Sequence, residues 1–281
     1  MGKTGALLML SLLLCACGNP RVNSTAAANS TATPGDNPKA APERIEISFE
    51  PAPARGDRIR TTRTLSTRER VEGQMLRAVN RTIGVDRVLE VDQSGRLLAV
   101  RRNYESATIT VREGAKPAKT QRLPNDGAEL ELRLGPGGIR ARVLVGDEGL
   151  ARTDWQLEGF DRALLPIDAV AVGDRWEPNP GSMSEMARVF EKGDFKVEKQ
   201  SITCRLIAAD EALAEVSVDW RISGTTASGT AVIAFAGRLE FDRQQRLVTN
   251  VSLSGGRAGD GDAITIELHR RPLKGWLDLD E

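Results

Sequence analysis

His269, the only histidine, and Cys204, the one cysteine beyond Cys17, are the first candidates for nucleophilic or acid–base chemistry, and the sequence around each argues against that use. His269 lies in a period-two run on the face opposite Ile264, Ile266 and Leu268, alongside Thr265, Glu267 and Arg271. A triad base must be oriented by a buried acid and aimed at a nucleophile, which a wet strand face does not provide. Cys204 alternates with Ile202 and Leu206 and so shares their apolar face, where a thiol packs as a small hydrophobe. Asp260-Gly261-Asp262 pairs two carboxylates but lacks the other ligands of a calcium loop, and it reads as a Gly-rich turn. No nucleophile elbow, phosphate loop or paired Cys/His metal spacing occurs. Glycosidases need two carboxylates about 5 to 10 Å apart, and 39 acidic residues leave that geometry open. Aromatic residues make up only 4% of the chain, with one tyrosine, Tyr104, so platforms for sugar rings are scarce. No catalytic residue, metal ligand or cofactor is assigned on these grounds.

The remaining chemistry is at Cys17. Lys3 supplies a positive start, residues 6–14 an apolar run too short to span a bilayer, and small residues precede Cys17. Leu14-Cys15-Ala16-Cys17 resembles a bacterial lipoprotein box. The resemblance implies that residues 1–16 are a signal peptide and that Cys17 is acylated and becomes the mature N-terminus. Ordinary cleavage near Ala16 or Gly18 is the alternative. Each buried methylene contributes about 0.8 kcal/mol, so the several acyl chains implied would hold the protein firmly to a membrane. Gly18, where an Asp would signal inner-membrane retention, favours the periplasmic face of an outer membrane. Residues 17–43 form the anchor and a polar tether rich in Ala, Asn, Ser, Thr and Pro, with an r.m.s. reach of roughly 25 to 30 Å.

The elements that must position any site lie in residues 44–281. Lys and Arg total 39 against 39 Asp and Glu, so no net field favours nucleic acid. Period-two alternation predicts strands through Ile45, Ile47 and Phe49, through Leu130, Leu132 and Leu134, and through Ile139, Ala141, Val143 and Val145. Gly135-Pro136-Gly137-Gly138 makes a hairpin of the last two. Further strands follow from Ala214, Val216, Val218, Trp220 and Ile222, and from Ile264, Ile266 and Leu268. Two short helices are expected in the middle: Leu157, Phe160, Leu164 and Leu165 before Pro166, and a capping box at Ser182-Met183-Ser184-Glu185 ending near Gly193. The expectation is a mainly β, β-rich α+β fold, a curved antiparallel sheet or open half-barrel. Two internal likenesses suggest similar halves, 44–150 and 170–281, joined by the helical segment. One lays residues 89–97 on 239–247; the other pairs Gly56-Asp57-Arg58-Ile59 with Gly173-Asp174-Arg175-Trp176.

The segment Leu165-Pro166-Ile167-Asp168-Ala169-Val170-Ala171-Val172-Gly173-Asp174-Arg175-Trp176 resembles the L-P-x-x-x-V-x-V-G-D-x-W stretch of a group of uncharacterised bacterial lipoproteins and secreted proteins. The resemblance implies a β-rich envelope protein and supplies no catalytic residues. Physically, Gly173 and Asp174 form a turn, and Trp176 opens a strand and needs one acceptor for its indole N–H if buried. Three functions follow: a non-catalytic binding module for an apolar ligand or lipid, a scaffold that binds an envelope protein, and a carboxylate hydrolase. An apolar cavity of about 300 Å³ or more would favour the first. The free use of Leu, Ile and Val on the dry faces suggests instead a filled interior.

Overall fold

The structure is a computed structural model that describes residues 46–273, apart from 52, 72, 94–95, 137, 154, 158–159, 179–194, 227–228 and 258–261. Cys17 and the segments expected to be signal peptide and tether lie outside the described residues, as does the capping-box segment from Ser182 to Gly193.

The described residues are dominated by strands: β1 (Arg58–Val71), β2 (Gln74–Val91), β3 (Leu97–Glu113), β4 (Lys119–Arg122), β5 (Glu129–Gly135), β6 (Gly138–Val145), β7 (Arg175–Trp176), β8 (Lys196–Ala209), β9 (Leu213–Thr226), β10 (Gly229–Asp242), β11 (Leu247–Arg257) and β12 (Ala263–Pro272). They form one open antiparallel sheet in the order β6-β5-β3-β2-β1-β12-β11-β10-β9-β8-β7, with β4 on β3. The alternation is realised as burial. Ala214, Val216, Val218, Trp220 and Ile222 are all buried, while His269 is exposed on the other face of β12. The glycine-rich hairpin joins β5 to β6, and a register shift beside Glu129 leaves Val145 outside the packed face.

The order has a topological consequence. β6 and β7 occupy opposite edges, yet only residues 146–174 connect them. That connection must cross ten strand spacings, on the order of 48 Å for a flat sheet at roughly 4.8 Å each. A helix, rising only about 1.5 Å per residue, is poorly suited to this span. The helix expected over 157–165 is accordingly realised only as a 3₁₀ turn, Phe160–Leu164, with another at Glu148–Arg152. The crossover buries Leu150, Trp155, Leu157, Leu164 and Leu165 against one sheet face, and the two ends of its path belong to different cores. Ile47 and Phe49 are buried as the alternation predicts, but Ile47 bridges Val170 of the crossover and enters no named strand.

The second internal likeness has a structural counterpart. Ala54-Arg55-Gly56-Asp57 and Ala171-Val172-Gly173-Asp174 make the same hydrogen bonds. Asp57 Oδ2 accepts from Ala54 N at 2.7 Å and Asp174 Oδ2 from Ala171 N at 3.0 Å. Gly56 N donates to Val88 O at 2.9 Å and Gly173 N to Leu206 O at 2.8 Å. Gly56 and Gly173 hold φ of +95° and +97°, so a side chain at either would be strained although space is open. Register continues the match: Ile59 faces Asp86 and Asp86 faces Arg102, as Trp176 faces Cys204 and Cys204 faces Val218. Bulges follow Val88 and Leu206 at the same place. Strands β1, β2, β3, β5 and β6 thus correspond to β7, β8, β9, β10 and β11. The other likeness, between residues 89–97 and 239–247, joins turns that do not correspond under this alignment. It reflects shared local chemistry, with Asp92 and Asp242 each accepting backbone N–H groups of their own turns.

Candidate functional site

The structural alignment of the halves isolates one anomaly. Where the second half buries Cys204 opposite Val218, the first half places Asp86 opposite Arg102. Arg102 Nε and Nη2 donate to the two Asp86 carboxylate oxygens, each at 2.7 Å, with side-chain exposures of 4% and 16%. Burial pulls the Arg102 guanidinium toward neutrality. Asp86 and the Tyr104 phenol more than reverse this, so its pKa lies above the ordinary arginine value. Tyr104 itself packs on Trp155 of the crossover, with ring centroids 5.8 Å apart.

A second ion pair joins the crossover to the seam of the sheet. Asp161, in the 3₁₀ turn, takes both terminal nitrogens of Arg270 on β12, Nη2 to Oδ1 at 2.8 Å. These side chains are 3% and 11% exposed. Burial again lowers the affinity of Arg270 for its proton, and Asp161 and then Asp86 raise it further than burial lowers it, against an opposing push from Arg102. The four charges therefore act on one another across β3, β2, β12 and the crossover.

Between the two cores lies a cavity of about 350 Å³. Its wall takes Leu157 from one core and Leu165 and Val248 from the other, with Val88, Leu97, Pro51, Pro53, Pro272 and Leu273 extending the apolar surface. The polar lining comes from β1, β2 and β12 with the chain before β1, the crossover and the β10–β11 turn: Arg58, Thr61 and Arg63 with Asp57, Asp86, Asp161, Arg162, Gln245, Arg246 and Arg270. β1 supplies Ile59, Thr61, Arg63 and Leu65 at period two, and β12 places Pro272, Arg270, Leu268 and Ile266 opposite them. Arg246 donates to Glu50 at its carbonyl, 2.9 Å, and its carboxylate, 3.1 Å, fixing the mouth-side loop to the chain preceding β1. The dry faces are packed with Leu, Ile and Val as expected, and the cavity opens between the two packed clusters. Asp86 and Arg102 had no role in the sequence reading. Their signal was parity, since Arg102 stands between Val100 and Tyr104 on the buried face of β3.

The sequence-assigned motif Gly173, Asp174 and Trp176 does not line this cavity and has a structural role. Gly173 and Asp174 form the turn described above, and Trp176 Nε1 donates to Leu164 O at 2.9 Å, pinning the crossover. Trp155 Nε1 does the same for the first 3₁₀ turn through Leu150 O at 2.6 Å. Cys204 is buried, and that burial, with Asp219 nearby, pushes its thiol up to about 12, the character of a packed rather than a reactive cysteine. Both described carboxylates of the cluster are doubly engaged by guanidinium groups, the geometry of ion pairs and not of a positioned acid and base. Among the described residues no group of three His, Cys, Asp or Glu is placed to hold a metal ion. No protein-family model matches the chain, and no curated protein matches it.

Proposed function

We propose that this chain is a lipid-anchored envelope protein whose folded domain is a non-catalytic binding module, with the cavity under the crossover as its ligand site. The observation that carries the reading is the cavity itself: about 350 Å³ between two separate cores, inside the size range of small-ligand sites. On this reading the open sheet curves as a half-barrel with the crossover as its cover. The anchor at Cys17 keeps the module on the periplasmic face of the outer membrane, and the tether lets it stand roughly 25 to 30 Å away.

The full chain, purified in lipid nanodiscs, is expected to carry a co-purifying small molecule in native mass spectrometry, or to enhance the fluorescence of an apolar dye. A protein that does neither is not a binding module of this kind. Cys17→Ser should move the protein from the membrane pellet to the soluble envelope fraction, and persistence in the pellet would remove the anchor from the proposal.

A further inference from the structure

The internal repeat reveals an asymmetry at one edge of the sheet. Strand β6 corresponds to β11, and register carries the match residue by residue. Arg102 faces Leu130 and Leu130 faces Val143, as Val218 faces Gly237 and Gly237 faces Leu253. Val143, Arg142, Ala141 and Arg140 therefore stand where the second half has Leu253, Ser252, Val251 and Asn250. β11 pairs on both sides, with β10 and with β12. Among the described residues β6 pairs only with β5, so the first half has no counterpart of β12.

Burial records the difference. Val251 and Leu253 are buried, whereas Ala141 and Val143 are half-buried at the rim of their core and Val145, at the end of β6, is exposed. The open edge also turns alternate N–H and C=O groups of β6 outward, a template for one more strand. On the wet face Arg140 and Arg142 are exposed. Arg133 and Glu131 stand directly opposite them on β5 and are hydrogen-bonded to each other.

β12 shows what such a strand looks like. Its Ile266, Glu267, Leu268 and His269 stand opposite Leu253, Ser252, Val251 and Asn250. The same order of apolar, acidic, apolar and polar side chains recurs in Leu277-Asp278-Leu279-Asp280, which lies outside the described residues. Laid on β6 in the register of β12 on β11, Leu277 and Leu279 meet Val143 and Ala141, while Asp278 and Asp280 meet Arg142 and Arg140. Opposite charges directly across a strand pair stabilise it. Two β6 edges paired antiparallel and centred on Ala141 would instead set Arg140 against Arg142 twice, and like charges there oppose the pairing.

Reach separates the chain's own segment from that of a second copy. Leu273 N donates to Arg58 O at 2.8 Å, which holds the end of β12 to β1. From β12 to the place beyond β6 is six strand spacings, on the order of 29 Å along a flat sheet and about 18 Å straight across a half-circle. The four residues from Leu273 to Leu277 span at most about 14 Å.

We propose that the β6 edge docks residues 277–280 of a second copy, which add a strand where the second half has β12. β6 contributes nothing to the cavity wall, so the contact is separate from the ligand site. Because the donating and accepting surfaces differ, the contact is head-to-tail and repeats from copy to copy.

Light scattering on the full chain in detergent micelles, across a dilution series, tests this. Mass should rise with concentration and pass that of a dimer. Arg140→Glu/Arg142→Glu should weaken association by about tenfold, as should Asp278→Arg/Asp280→Arg, and the chain carrying all four changes should recover it. Each variant should keep the parental Tm, which shows that it is folded, since Arg140 and Arg142 are exposed. A monomer at every concentration would overturn the proposal. So would association that Asp278→Arg/Asp280→Arg leaves unchanged, which would assign the contact to another surface such as a second β6 edge. Loss in both paired variants without recovery in the fourfold one would overturn the register.

Discussion

Replacing Asp86 by Asn keeps the shape of the side chain and removes the charge that compensates Arg102, whose guanidinium is almost wholly enclosed. Breaking a buried ion pair by altering one partner costs about 3 to 5 kcal/mol, because the surviving charge stays buried. In a domain of this size each kcal/mol lowers Tm by roughly 2 to 4 °C, so Asp86→Asn should lower it by about 6 °C or more. The second half shows that the same strand positions can be apolar, with Cys204 opposite Val218. The double variant Asp86→Val/Arg102→Met should therefore recover most of the loss and fall within about 1 kcal/mol of the parent, or above it. Urea unfolding of the full chain, followed by the fluorescence of its four tryptophans, reads both values. A single variant within about 1 kcal/mol of the parent would refute the argument, as would a double variant no more stable than the single, since the position would then not be a swapped core pair.

Three other outcomes follow from local geometry. Burial, with Asp262 adding to it, raises the carboxyl pKa of Glu69 above its ordinary value, so the native state holds that proton more tightly than the unfolded chain. The associated stability is present below the unfolded carboxyl range and is lost as pH rises through the folded pKa. Glu69→Gln should thus melt higher than the parent at pH 7 and level with it near pH 4; equal melts at pH 7 would contradict this. Trp176→Phe keeps a ring beside Phe49, whose centroid lies 6.2 Å away, but removes the bond to Leu164 O. It should cost about 1 kcal/mol in urea unfolding, and a loss near zero would show that the indole does not hold the crossover. Cys204 should resist iodoacetamide at pH 8 in the native state and react readily in urea, a contrast that mass spectrometry reads directly; rapid native alkylation would mean the strand opens.

Much of the strand content was legible because its causes are local. Alternation at 214–222 and 264–268, and the glycines at 135–138, depend on neighbours a few residues away. The turn at Gly173 and Asp174 was legible for the same reason, including the need of Trp176 for one acceptor. The helix over 157–165 was misread because its spacing suits a 3₁₀ turn as well, and the long crossing between sheet edges decided between them. Arg102 was passed over because a charge at a buried parity is visible only once its partner is known.

By itself, the sequence determined the β periodicity and the turn chemistry, each set by adjacent residues, and it carries the pattern at Cys17 on which the proposed anchor rests. Tertiary structure alone decided that β1 pairs with β12 at the centre of one sheet, since that contact joins the two ends of the domain and depends on every strand between them. The same pairing brings Arg63 and Arg270 to one seam, and the crossover brings Asp161 to Arg270. The cavity therefore exists only in the folded chain, where two cores form under one crossover and leave a charged gap between them.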